Sequence, residues 1–122
     1  MANPDVAPYG MAAMATLQAW DMWESLAPRL LRSESVGQAF QFVATGNAEL
    51  GFIAYSQVLG LPRNRAGSFC IVNPALYPPL RQQAVLLHHG AANGAARRFM
   101  EFLRGKQGVA IIRKFGYQIG AP

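Results

Sequence analysis

A chain of 122 residues holds the core of one ordinary domain and not of two. Apolar residues make up 52% of it and charged residues 14%, against about 25% charged in an average soluble domain, which excludes intrinsic disorder. The net charge of +5 rests on eleven Lys and Arg, nine of them Arg, but the bases never run longer than two, so no nucleic-acid footprint forms.

In chain order, Met11, Met14, Leu17 and Trp20 recur at three-residue steps with alanines between them, predicting a helix over residues 8–23. Pro8 occupies the first turn, where proline is tolerated. Pro28 closes a short segment over residues 24–27, and a polar break follows at Ser33-Glu34-Ser35. Ser35 with Gln38 three residues on has the pattern of a capping box, and Val36, Ala39, Phe40 and Val43 trace one helical face. That helix is expected to stop at Thr45-Gly46-Asn47, with Gly46 or Asn47 in the left-handed conformation. Residues 50–55 (LGFIAY), 68–72 (SFCIV) and 83–88 (QAVLLH) are short apolar runs bounded by polar or turn residues and are predicted as strands. Two terminal helices are predicted over residues 94–104, capped by Asn93 with Phe99, Phe102 and Leu103 inward, and over residues 107–115. Short strands alternating with helices indicate an α/β sheet.

Enzyme chemistry finds no foothold. Asp5, Asp21, Glu24, Glu34, Glu49 and Glu101 form no catalytic pair, and solvated surface charge accounts for them. Cys70 falls mid-strand, away from any helix N-terminus, and is expected to be a buried inert thiol. His88 and His89 are expected at a strand end, and with a single cysteine they cannot supply the spaced ligands of a zinc site or a disulfide. No GxGxxG, Walker A loop or HExxH occurs. No stretch approaches the ~18 apolar residues of a membrane span, and MANPDVAPYG has no signal-peptide pattern, so the expectation is a cytosolic chain or a piece of a longer precursor. What remains is two helix starts, Pro8-Tyr9-Gly10 and Ser35-Val36-Gly37. The first turn of a helix leaves N–H groups without intrahelical acceptors and carries about half a positive charge, so it can hold an anion without a charged side chain. A glycine beside each start would admit a ligand close to the backbone.

The segments ANPDVAPYGMAAMATL, SVGQAFQFVATGNAELGFIAYSQV and FMEFLRGKQGVAIIRKFGY resemble, in order and spacing, the second half of the periplasmic molybdate-binding proteins of ABC importers. The resemblance implies an α/β fold: one lobe of a type II periplasmic binding protein, a mixed sheet flanked by helices, lacking the first lobe and the first strand of this lobe. Residues 1–81 would be the second ligand-binding lobe, and residues 82–122 a hinge strand and terminal helices returning toward the first lobe. The implied ligand is molybdate or tungstate, with no cofactor and no metal beyond the oxyanion itself. By motif, the family's backbone N–H contacts fall on Tyr9 and Val36, flanked by Gly10, Ser35 and Gly37. Some members add a tyrosine hydroxyl after the LGF strand; here Ala54 takes that place, and Tyr55, one residue later, would face the other side of a strand. The implied partners are the importer's membrane subunits and the implied location the periplasm. A cage made only of donors suits a divalent oxyanion and disfavours protonated phosphate by about 1–3 kcal/mol. With the first lobe's serine donors absent, weak or undetectable binding by one copy is expected. Two other readings stay open: an oligomer formed by strand swapping or strand addition, and the effector domain of a transcription regulator, for which no helix-turn-helix segment is present.

Overall fold

In a computed structural model, which describes residues 1–65 and 67–120, the chain divides into two compact units, Met1–Leu80 and Arg81–Pro122. The first unit is organised by a short parallel ribbon. The Met1 amino group donates to the Leu31 carbonyl at 2.8 Å, the Ser33 N–H to the Met1 carbonyl at 3.1 Å, and the Asn3 N–H to the Ser33 carbonyl at 2.7 Å. Ala2 and Ser33 form the bridge at its centre, and both are buried. Burial also holds the Met1 amine below its ordinary pKa, because the charged form loses hydration there.

Helix α1 (Pro8–Ala19) buries Ala12, Ala13, Thr16 and Leu17. The Thr16 hydroxyl is satisfied by donating to the Ala12 carbonyl at 2.8 Å. Met1, Ala13 and Leu17 form the centre of the core, with Met14, Trp23, Leu26, Leu30 and Phe52 packed around it. The helix stops short of its expected end because Asp21 turns into the left-handed region at φ 54°, where a helix cannot continue. Helix α2 (Trp23–Leu26) and a 3-10 turn over Ala27–Arg29 lead back to the ribbon, with the Arg32 guanidinium 5.7 Å from the Trp23 ring centroid. Helix α3 (Val36–Ala44) ends as its sequence indicates: Gly46 takes φ 76°, and the Ala48 N–H returns to the Phe42 carbonyl at 2.9 Å.

The three expected strands do not form among the described residues, where the parallel bridge is the sole β pairing. Residues 50–54 lead into helix α4 (Tyr55–Leu59), and residues 68–72 and 83–87 follow irregular paths. A strand is held by the ladder of its neighbours, and an apolar run without one remains unpaired. The consequence is visible in Leu50, Phe69, Ile71, Val85 and Leu87, all exposed, and Cys70 is likewise exposed rather than buried. His88 and His89 belong to an exposed 3-10 turn over His88–Gly90 instead of a strand end.

In the second unit, helix α5 (Gly94–Arg104) is capped by Asn93, whose Oδ1 accepts from the Ala95 N–H at 2.9 Å and the Ala96 N–H at 3.2 Å. Gly105 ends it and begins helix α6 (Lys106–Lys114). The helices meet at Gly108, where a Cβ would lie 2.8 Å from the Leu103 Cα and strike the Phe102 carbonyl oxygen. This contact covers the Leu103 side of α5. Phe99 and Phe102, expected inward, are 59% and 41% exposed, because a two-helix unit offers α5 only one counter-surface.

Candidate oxyanion site

Both candidate helix starts belong to the first unit, and each follows within a few residues of one segment of the ribbon. Its two segments run parallel, so they leave it at the same end, one toward Pro8 and the other toward Val36. This is the arrangement in which α/β proteins place ligands, beyond the carboxyl ends of parallel strands and against helix N-termini.

The start of α1 is built on Asn3. Its carbonyl accepts from the Val6 N–H at 3.3 Å and the Ala7 N–H at 3.0 Å, and its side chain accepts from the Asp5 N–H at 3.2 Å. Ala7, in extended conformation, then caps the helix without a side-chain bond. Pro8 has no N–H to offer, and the N–H groups of Gly10 and Met11 go to the Ala7 carbonyl at 2.8 and 3.1 Å. Tyr9 is the second residue of the helix, half-buried and with an interaction of its own. Gly10 is buried against the ribbon: a Cβ there would lie 2.5 Å from the Ala2 carbonyl oxygen. Its lack of a side chain therefore serves the approach of the chain's own backbone.

At α3, Ser35 is extended and its hydroxyl accepts from the Gln38 N–H at 3.2 Å. The Gln38 side chain reaches back to accept from the Glu34 N–H at 3.1 Å, one residue before the usual partner in a capping box. The Ala39 N–H goes to the Ser35 carbonyl at 3.1 Å. Val36 and Gly37 precede every intrahelical acceptor, so their N–H groups are the donors this turn presents. A Cβ on Gly37 would meet only the Ser35 hydroxyl, at 3.7 Å, and the turn is open beside it. Neither first turn contains an acidic residue, and neither contains Lys or Arg, so any positive potential there comes from the backbone.

Tyr55 is the first residue of α4, with its ring centroid 6.1 Å from that of Phe69. The alternation of a strand therefore does not govern where its hydroxyl goes. Two supports of the site have no signal in sequence spacing. The buried Ser33 hydroxyl lies 3.2 Å from the Met1 carbonyl and 2.9 Å from the Ser35 carbonyl, and Gln57 reaches the Val36 carbonyl from 21 residues away. A shallow surface cavity lined by Gln18, Asp21, Trp23 and Glu24 includes the far end of α1, and its two carboxylates make it unsuited to an anion. Among the described residues no group of three His, Cys, Asp or Glu could hold a metal ion, and no helix is long and apolar enough to cross a membrane.

The family model for bacterial extracellular solute-binding proteins matches residues 1–118. Molybdate-binding protein ModA of Rhodobacter capsulatus is 45% identical over 117 residues, which is 96% of this chain and 45% of that protein. Its counterpart in Azotobacter vinelandii is 44% identical over 117 residues, 96% of this chain and 46% of that protein. The solved structure of the Azotobacter vinelandii periplasmic molybdate-binding protein superimposes with a TM-score of 0.88 at 33% identity, covering 99% of this chain and 53% of that one. The chain thus spans less than half the length of these two curated relatives, and its fold is that of part of a periplasmic binding protein. These relatives are binding proteins and not enzymes. From residue 1 to residue 118, this chain belongs to the bacterial extracellular solute-binding proteins.

Proposed function

We propose that this chain supplies half of a binding site for molybdate or tungstate, through the backbone N–H groups of Tyr9 and Val36. The observation that supports this reading is the parallel ribbon, whose two segments run in the same direction toward two helix starts with uncharged first turns. Relatives named as molybdate-binding proteins supply the ligand class. Residues 1–81 would act as the second ligand-binding lobe and residues 82–122 as the hinge strand and terminal helices. In the whole protein the oxyanion would be taken up in the periplasm and passed to the membrane subunits of an ABC importer.

Two backbone donors to a charged acceptor are worth about 3–6 kcal/mol together before the cost of association. A dissociation constant of about 1 mM corresponds to about 4 kcal/mol, so this chain alone should bind in the millimolar range or more weakly. The test is an amide-resolved NMR titration with molybdate, tungstate, sulfate and phosphate. Molybdate and tungstate should shift the Tyr9, Val36 and Gly37 amides with similar affinity. Phosphate binding as well as molybdate, or shifts confined to other residues, would defeat the reading.

The exposed Leu50, Ile71, Val85 and Leu87 favour a second reading, in which this chain associates with a further copy by adding strands. Light scattering over a concentration series should then show mass rising above that of one chain, and a constant monomeric mass would exclude it.

A further inference from the structure

We infer that Gln57 is a positioning residue for the first turn of α3, one that sets oxyanion affinity without touching the ion. The inference rests on the proposed role of that turn. Gln57 is half-buried, and its amide spans two helix starts. At one end Oε1 accepts from the Ala54 N–H at 3.0 Å, closing the start of α4 where Ala54 has no side-chain acceptor of its own. At the other end Nε2 donates to the Val36 carbonyl at 3.4 Å. Buried Ala54 and Val58 on either side of Gln57 fix α4 in the first unit, so the amide reaches out from an anchored base. The Val36 carbonyl shares a rigid planar peptide group with the Gly37 N–H, which points the opposite way. Holding that carbonyl therefore sets the direction of the Gly37 N–H and the attitude of the residue that carries the Val36 N–H. Nothing else crowds Gly37, since a Cβ there would meet only the Ser35 hydroxyl. The link joins residues 21 apart and ties the two helix starts directly.

The experiment compares Q57E, Q57M and the parent in the full 122-residue chain, titrating molybdate while following amide shifts and urea stability. Q57E keeps the acceptor for the Ala54 N–H and cannot donate to the Val36 carbonyl; Q57M loses both. A positioning role predicts that both variants shift the Gly37 amide in the free protein and weaken molybdate binding about three- to tenfold, the range set by one neutral hydrogen bond. Q41E, an equal charge at an exposed position of α3, controls for simple repulsion, and the Q57E loss should exceed its loss and persist at high salt. If Q57E binds like the parent while Q57M does not, Gln57 only caps α4 and the inference is overturned. If the parent itself shows no molybdate shift at Val36 or Gly37, the underlying reading of the site has failed and this inference falls with it.

Discussion

Replacing Gly10 with alanine tests whether the first turn of α1 is seated on the ribbon. The added Cβ would lie 2.5 Å from the Ala2 carbonyl oxygen, 2.6 Å from the Asn3 carbonyl carbon and 2.7 Å from the Asn3 carbonyl oxygen. Ordinary carbon contacts lie at about 3.5–4.0 Å, so close to 1 Å of movement is required. No flexible side-chain end is available to make it. All three atoms are backbone, and Asn3 is held by its N–H to the Ser33 carbonyl at 2.7 Å and by its carbonyl to the Ala7 N–H at 3.0 Å. Overpacking of this kind costs about 1–3 kcal/mol, while alanine recovers up to about 1 kcal/mol of helix propensity. A net loss of about 1–2 kcal/mol is expected. Both tryptophans, Trp20 and Trp23, lie in the first unit, so urea unfolding followed by tryptophan fluorescence reads that unit alone. Gly37→Ala, where space is open, should be neutral or slightly stabilising in the same assay. A G10A chain as stable as the parent would refute the seating of α1 on the ribbon.

Asn93→Ala removes the acceptor for two first-turn N–H groups of α5 and should cost that helix about 1 kcal/mol, read by circular dichroism as helix lost at lower temperature; unchanged melting would exclude the cap. Gly108→Val forces a branched side chain onto the backbone of residues 102 and 103 and should separate α5 from α6, seen as faster hydrogen exchange in both helices. Burial lowers the pKa of the Met1 amine in the folded chain, so below about pH 8 the unfolded chain binds more protons than the folded one. Stability should therefore rise with pH toward 8, and acetylation of the Met1 amine should flatten that rise. A slope equal in acetylated and free chains would show that the amine does not contribute.

The helices were legible because their signals are local. Pro8 at a first turn, Ser35 with Gln38, Gly46 at φ 76° and Asn93 before Gly94 each act within a few residues. The strand signals misled because pairing is not local: LGFIAY and SFCIV have strand composition but no ladder partner among the described residues. Phe99 and Phe102 mark an apolar face, and a sequence cannot state what surface covers it. The two helix starts of the candidate site were legible for the same reason as the helices. That they leave one end of one ribbon follows from a pairing across about thirty residues, and the inward role of Gly10 depends on the folded position of Ala2 and Asn3.

The ribbon is also a long-range closure of the chain. Residues 1–3 meet residues 31–33 across the intervening chain, and closing that loop carries an entropic cost. In the closed ribbon the segments leading to α1 and α3 run in the same direction. A site that spans both helix starts, as proposed, would require the ribbon to be closed. Whatever binds across both starts selects the closed unit, and at ten times its dissociation constant it would deepen that unit's stability by about 1.4 kcal/mol. On the proposed reading of the site, ligand binding and closure of the ribbon are linked equilibria.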